Sequence, residues 1–216
     1  MEFGTPFSYP FKDPNWFKKF ILPGLCMLIP VIGQFVLMGW MVEIVRRVIN
    51  DIPDLLPELD FGSQLGKGFQ TWVIGLVYSI PIFILVLPIQ LVAPIGAAAD
   101  MDPDTMTTIM AIVSVCCGGL TLIYSILVGF LLPAALGNFA AKGQLSAGLR
   151  FAEVFGLVKA APVSYLIVLV GSILAGLIGQ LGVIACVVGL LITIPLAAAI
   201  MGHFYGQAYK EATSKL

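Results

Sequence analysis

Charged residues are scarce in this sequence. They make up 11% of its 216 residues, whereas a typical soluble domain has about 25%. Hydrophobic residues make up 59%, and the mean hydropathy is +1.03. So little charge cannot cover the surface of a water-soluble domain of this length, which excludes that class. The net charge of −1 gives no basic surface that would bind nucleic acid.

The sequence also lacks the common signatures of catalysis and metal binding. It has no Walker motif, HExxH, GxSxG or CxxC, and it contains one histidine, His203. Its four cysteines fall in apolar stretches without zinc-ligand spacing, which predicts buried free thiols. They are Cys26, Cys116, Cys117 and Cys186. We therefore expect a protein that is not an enzyme.

The sequence contains three long stretches without any charged residue. Residues 69–99, 105–141 and 160–209 contain no Asp, Glu, Lys or Arg. One helical span needs about 20 apolar residues, so each stretch is long enough for at least one. Their hydrophobicity is continuous and does not alternate, which favours helices over barrel strands. The sequence predicts an all-α, polytopic helical membrane protein in a lipid bilayer.

Proline, glycine and charge divide the chain into three predicted helical hairpins, over residues 14–50, 62–141 and 143–210. The first is short, because residues 17–48 are too few for two full spans and a turn. It is either a re-entrant hairpin bent at residues 30–33 or a single ordinary span. An amphipathic helix around residues 145–155 is expected to lie in the membrane interface.

A short pattern recurs near three predicted helix ends, which favours an internal repeat. In each case a glycine is followed by a polar or aromatic residue. The three copies are Met38–Gly39–Trp40–Met41, Leu136–Gly137–Asn138–Phe139 and Met201–Gly202–His203–Phe204.

The positive-inside rule predicts the orientation. Basic residues concentrate in residues 46–67, in residues 142–159 and after residue 209, whereas the connector with Asp100, Asp102 and Asp104 has none. We expect an inner (plasma) membrane protein with its C-terminus, both polar loops and its N-terminal segment in the cytoplasm.

Three groups of residues are candidate functional positions. The first should contact lipid at the interface, with aromatic rings at the headgroups and lysines reaching water: Trp16, Lys18, Lys19, Glu43, Arg46 and Arg47. The second should allow close helix packing: Gly39, Gly137, Gly171, Ala175 and Gly202. The third is His203, which is either a ligand to an unknown cofactor or a histidine hydrogen-bonded between helices.

Several segments resemble one prokaryotic membrane family, domain of unknown function 4013. They are the opening run from Tyr9 to Trp16 with Lys18 and Lys19, the Ile29–Gly33 turn, the Gly39–Asn50 segment, the Leu56–Glu58 loop and the endings Thr193–Pro195 and Gly206–Tyr209. The resemblance implies a membrane protein and no assigned activity, so it adds no catalytic residues.

Two functional classes fit these observations. The first is an accessory or structural subunit that packs against partner membrane proteins or lipids. The expected partners of the chain are the lipid bilayer and either other membrane protein subunits or further copies of itself. The second is a small oligomeric transporter or channel, since repeats and proline-broken spans occur in transporters. The scarcity of carboxylates and arginines inside the spans favours the first class.

Overall fold

The computed structural model describes the backbone of residues 1–216 and the side chains of all residues except 185–187. The thiol of Cys186 therefore lies outside the described side chains. The α-helices are α1 Thr5–Ser8, α2 Trp16–Cys26, α3 Ile32–Ile49, α4 Phe61–Ala98, α5 Pro103–Lys142, α6 Leu145–Gly148, α7 Phe151–Ala160, α8 Pro162–Leu181 and α9 Cys186–Thr213, with 3₁₀ helices at Tyr9–Lys12 and Gly182–Ala185.

The chain divides into two compact units. The core unit comprises Met1–Gly75 and Phe130–Leu216, and the hairpin unit comprises Leu76–Gly129. Within the described residues, four helical segments are long and apolar enough to cross a membrane: Phe61–Ala98, Pro103–Lys142, Pro162–Ile184 and Val188–Thr213. The predicted class is confirmed: this is an all-α, multi-pass membrane protein.

Helix α4 begins earlier and ends later than the sequence predicts, since residues 50–68 and 94–104 were expected to be loops. The Asp60 carboxylate accepts a hydrogen bond from Ser63 N at 3.2 Å, which caps the helix and starts it at Phe61. At the other end α4 continues through Pro88 and Pro94 to Ala98. Helix α5 begins as predicted, because the Asp102 carboxylate caps Thr105 N at 2.9 Å.

The first hairpin consists of α2 and α3 with a break at residues 27–31. Helix α2 has 11 residues and is about 16 Å long, roughly half of the hydrocarbon thickness. Val31 in the break has a φ of 66°, and a Cβ at Gly33 would overlap the carbonyl oxygen of Cys26. The sharp reversal therefore depends on the glycine, and residues 17–48 are not one continuous helix.

Helix α9 is the centre of the core unit. It packs against α8, α3 and α2. The helices approach closely because α9 has small residues at the crossings: Gly202 lies against Met41 O and Ile44, and Gly206 lies against Val48. Close packing matters here because lipid is as apolar as the protein, so van der Waals contact and hydrogen bonds hold the helices together.

Candidate functional site at the charged end of the core unit

Ion pairs join the helices of the core unit where their apolar stretches stop. They connect α3 with α4, α5 with α7, α2 with the loop after α3, and α9 with the same loop. The pairs are Glu43–Lys67, Lys142–Glu153, Lys19–Asp54 and Lys210–Asp51. We call this region the charged end. It is the candidate functional site because it brings the titratable groups of distant segments together.

Lys19 is the buried member of the charged end. Its side chain is 9% exposed, and Nζ lies 2.8 Å from Asp13 Oδ2 and 2.9 Å from Asp54 Oδ1. Burial lowers the pKa of Lys19, but hydrogen bonds with both carboxylates raise it above its ordinary value. Burial raises the pKa of Asp13, yet the bonds from Lys19 and Asn15 N bring it below its ordinary value. Lys19 was expected to reach water; it forms an internal ion pair instead, because α2 turns it toward the 50–60 loop.

Glu43 holds a second cluster on the other side of α3. Its carboxylate lies 2.6 Å from Lys67 Nζ and 3.7 Å from both Arg46 and Arg47. Arg47 also reaches away, donating to Asp54 O at 2.7 Å. Arg46 and Lys67 line a cavity of about 380 Å³ together with Lys142 from the end of α5.

Glu153 on α7 holds the third cluster. It accepts hydrogen bonds from Lys142, from Arg150 Nη1 at 3.0 Å and from Asn138 Nδ2 at 3.0 Å. Hydrogen bonds from Lys142, Asn138 and Arg150, in that order of effect, lower the pKa of Glu153 to about 2. Asn138 is itself buried and accepts a bond from Tyr209 of α9 at 3.3 Å.

The lowered pKa of Glu153 predicts a dependence of stability on acid, reduced by solvent screening because 41% of the side chain is exposed. A carboxylate with a lower pKa in the folded state stabilises the fold above its unfolded pKa of about 4.5, and that contribution is lost as pH falls from 4.5 toward 2. We expect Glu153→Gln to reduce the fall in melting temperature between pH 7 and pH 3, measured in detergent.

Removing the donors gives a second test of that pH dependence. Lys142→Met with Arg150→Met should reduce the same acid-dependent fall, because the carboxylate then loses its charged partners. If the melting temperature of both variants fell as much as that of wild type between pH 7 and pH 3, Glu153 would not contribute to the loss of stability in acid.

The three copies of the glycine pattern differ in their contacts. Trp40 Nε1 donates to Pro57 O at 2.9 Å in the loop after α3, and Asn138 Nδ2 donates to Ala147 O at 2.8 Å in α6, so each reaches the segment that follows its own helix. His203, in the third copy, is 4% exposed and its Nδ1 has no hydrogen-bond partner. The first two copies thus connect a helix to the segment that follows it, and the third does not.

His203 lies beneath the N-terminal segment. Its ring stacks on Tyr9, with centroids 4.5 Å apart, and the Tyr9 hydroxyl donates to Ala199 O at 3.0 Å. A cavity of about 770 Å³ adjoins it, with Glu2, Asp51, Gln207 and Lys210 among its lining. Among the side chains that the structure describes, no group of three or more His, Cys, Asp or Glu residues is placed to hold a metal ion.

Comparison with known families identifies the chain over most of its length. The model of the family described as "Protein of unknown function (DUF4013)" matches residues 22–203. The chain belongs to this family. No curated protein matches it, and no solved structure matches it.

The DUF4013 match confirms the family predicted from sequence, and its limits are informative. It begins after Lys19 and ends at His203, so the opening motif of residues 9–19 lies outside it. The segment that supplies Lys19 and covers His203 with Tyr9 is therefore not part of the matched range.

The predicted packing residues of this DUF4013 chain all lie inside the core unit. A Cβ at Gly39 would overlap the carbonyl oxygen of Gln64, and one at Gly137 would press on the Tyr209 ring. Gly171 faces the Phe204 ring, Ala175 is fully buried, and Gly202 faces α3. Each of the four glycines therefore lies against another helix.

The fold places the predicted interface residues in different surroundings. Lys18 is exposed, whereas Trp16 is half-buried with its ring against Phe11 and Phe20. Arg46 faces the cavity and Arg47 faces Asp54. Six residues in the ion pairs of the charged end were not among the predicted site residues: Asp51, Asp54, Lys67, Lys142, Glu153 and Lys210. The Arg150–Glu153 spacing of three could have indicated Glu153, but nothing local pairs Lys67 with Glu43.

The predicted interfacial helix is also divided, into α6 and α7 with Leu149 and Arg150 between them. The side chain of Asn138 donates to Ala147 O, a carbonyl that a continuous helix would pair with Phe151 N. Phe151 N bonds to Leu149 O at 3.0 Å instead, so the regular helical hydrogen bond is missing at the break.

Proposed function

We propose that this chain is a non-enzymatic accessory or structural subunit that packs against a partner membrane protein. The observation that supports the proposal most directly is a pair of glycines in α5, Gly118 and Gly119, with open space where a Cβ would be. The proposal places the charged end at the cytoplasmic face of the membrane, following its basic residues.

The hairpin unit has a largely uncovered apolar surface. In the most apolar 18-residue segment of α5 no residue is buried, and in the corresponding segment of α4 11% of the residues are buried. The α4 and α5 parts of this unit contact each other where the Tyr124 hydroxyl donates to Tyr78 O at 3.1 Å. Large apolar side chains are exposed on both, among them Phe83, Ile84, Val115 and Ile123. Lipid or a neighbouring protein must cover this surface.

The open glycines favour a protein neighbour on one face. In the core unit Gly39, Gly137, Gly171 and Gly202 each adjoin a contacting helix or ring, which is the usual use of glycine in membrane helices. Gly118 has no such neighbour within 4 Å, and Ser114 precedes it at the small-xxx-small spacing. A helix of a partner would supply the missing contact.

The test is a mild-detergent pull-down of tagged protein from its native membrane, with mass spectrometry of what accompanies it. Wild type should retain a stoichiometric membrane protein. Gly118→Leu with Gly119→Leu should lower its yield about tenfold, since two leucines would prevent close approach.

The matched control is Gly66→Leu, a glycine of α4 that also has open space at its Cβ but precedes the uncharged stretch. It should retain the partner. A homogeneous homo-oligomer without any partner would overturn the accessory role and favour the transporter class.

A further inference from the structure

Basic side chains from three helices line the 380 Å³ cavity at the charged end. They are Arg46 of α3, Lys67 of α4 and Lys142 of α5, and Glu43 is the carboxylate among them. Arg46 and Lys142 have 54% and 40% of their side chains exposed, so their charged groups are accessible. The cavity therefore presents accessible positive charge from segments that are far apart in sequence.

The carboxylates at this place do not balance the bases. Arg46, Arg47 and Lys67 all pair with Glu43, and Lys142 shares Glu153 with Arg150. Among the residues that line the cavity, three cations face one carboxylate, which leaves an excess of positive charge. An anion that enters the cavity meets donors that are already held in place.

The helices that form the cavity indicate its position relative to the membrane. The uncharged stretch of α4 starts directly after Lys67 and Gly68, and the uncharged stretch of α5 ends directly before Lys142. Its floor is apolar and buried, formed by Val42, Phe139 and Ala140. Charged residues mark the edge of the hydrocarbon, so the cavity lies at the level of lipid headgroups.

We propose that this cavity binds the phosphate group of an anionic phospholipid. Arg46, Lys67 and Lys142 donate charge-assisted hydrogen bonds to the phosphate oxygens, and the Gln70 amide is placed to donate to an ester oxygen. The apolar floor suits the glycerol backbone and the start of the acyl chains. The cations favour anionic over zwitterionic lipid, as juxtamembrane basic residues do. The site belongs to the isolated chain and does not depend on a partner subunit.

The experiment uses the purified, delipidated full chain in mild detergent. Binding of dioleoylphosphatidylglycerol and of dioleoylphosphatidylcholine is followed by native mass spectrometry. We expect the anionic lipid to bind at least about tenfold more tightly. Equal affinity for the two lipids would overturn the proposal.

Paired variants locate the site. Arg46→Gln with Lys142→Gln should weaken phosphatidylglycerol binding about 25-fold, at about fivefold for each base. Lys12→Gln with Lys159→Gln removes the same charge from exposed positions outside the cavity, and should change binding less than twofold. An equal loss in both pairs would show diffuse attraction and no site.

Two further measurements separate lipid binding from a folding defect and from binding of a soluble phosphate. Melting temperatures without lipid should fall only slightly, because Arg46 and Lys142 are exposed in their ion pairs. If the double variant does not fold, Arg46→Gln alone should bind about fivefold more weakly. Glycerol 3-phosphate should not displace the lipid at comparable concentration. Displacement would show that the cavity takes a soluble phosphate ester, which would overturn the assignment to lipid.

Discussion

Replacing Lys19 by alanine is expected to lower the free energy of unfolding by about 3 kcal/mol. The change leaves Asp13, whose side chain is 14% exposed, without its cation, and an uncompensated buried charge is costly. The value is at the low end for buried pairs, because Asp54 keeps 57% of its side chain exposed. Unfolding in a detergent and denaturant titration measures the loss.

Lys18→Ala is the matched control. Lys18 neighbours Lys19 on α2 and is exposed, so its removal should change stability by no more than about 0.5 kcal/mol. Adding Asp13→Asn and Asp54→Asn to Lys19→Ala should restore part of the loss, since no unpaired carboxylate then remains. If Lys19→Ala were as stable as wild type, the ion pair would have no structural role.

Gly39→Ala is expected to lower the free energy of unfolding by about 2–3 kcal/mol. The added Cβ would overlap the carbonyl oxygen of Gln64, which is backbone and cannot rotate away. Gln64 is also fixed, because its backbone N–H bonds to Asp60 O and its side chain donates to Glu58 O at 2.8 Å. Helices α3 and α4 must therefore separate. Thermal unfolding followed by size-exclusion chromatography measures the effect.

Gly66→Ala is the opposite case on the facing helix. An added Cβ there meets nothing within 4 Å, and alanine favours a helix by up to about 1 kcal/mol over glycine. Its melting temperature should equal or exceed that of wild type. A similar loss from both substitutions would mean that glycine flexibility, rather than the helix crossing, is what matters at Gly39.

The fold class could be predicted because lipid constrains the sequence directly. Every backbone group inside the bilayer needs an internal hydrogen bond, so long uncharged stretches must be helical. The start of α5 at Pro103 was also local information, since Asp102 caps it within one turn. The ends of α4 could not be predicted from local sequence, because a proline in a membrane helix need not end the helix.

The charged end was predicted in part. Arg46 and Arg47 are adjacent in sequence and were expected to act together. Both reach Glu43, but consecutive helical residues point in different directions, so Arg46 also lines the cavity whereas Arg47 also pairs with Asp54. Lys142 lines the same cavity as Arg46 only because the end of α5 lies beside α3 in the fold. The spacing of residues along the sequence carries no information about which helices lie side by side.

The sequence by itself determined that this chain lies in a membrane as helices, where its uncharged stretches end, and which glycines favour close packing. These properties follow from the cost of charge and of unpaired backbone in hydrocarbon, which each segment meets on its own. Tertiary structure alone decided that Lys19 is internal, that Gly39 is filled by a neighbour while Gly118 is open, and that three distant cations line one cavity. Those outcomes depend on which helices meet, and helix pairing in lipid is set by the shape of both surfaces together.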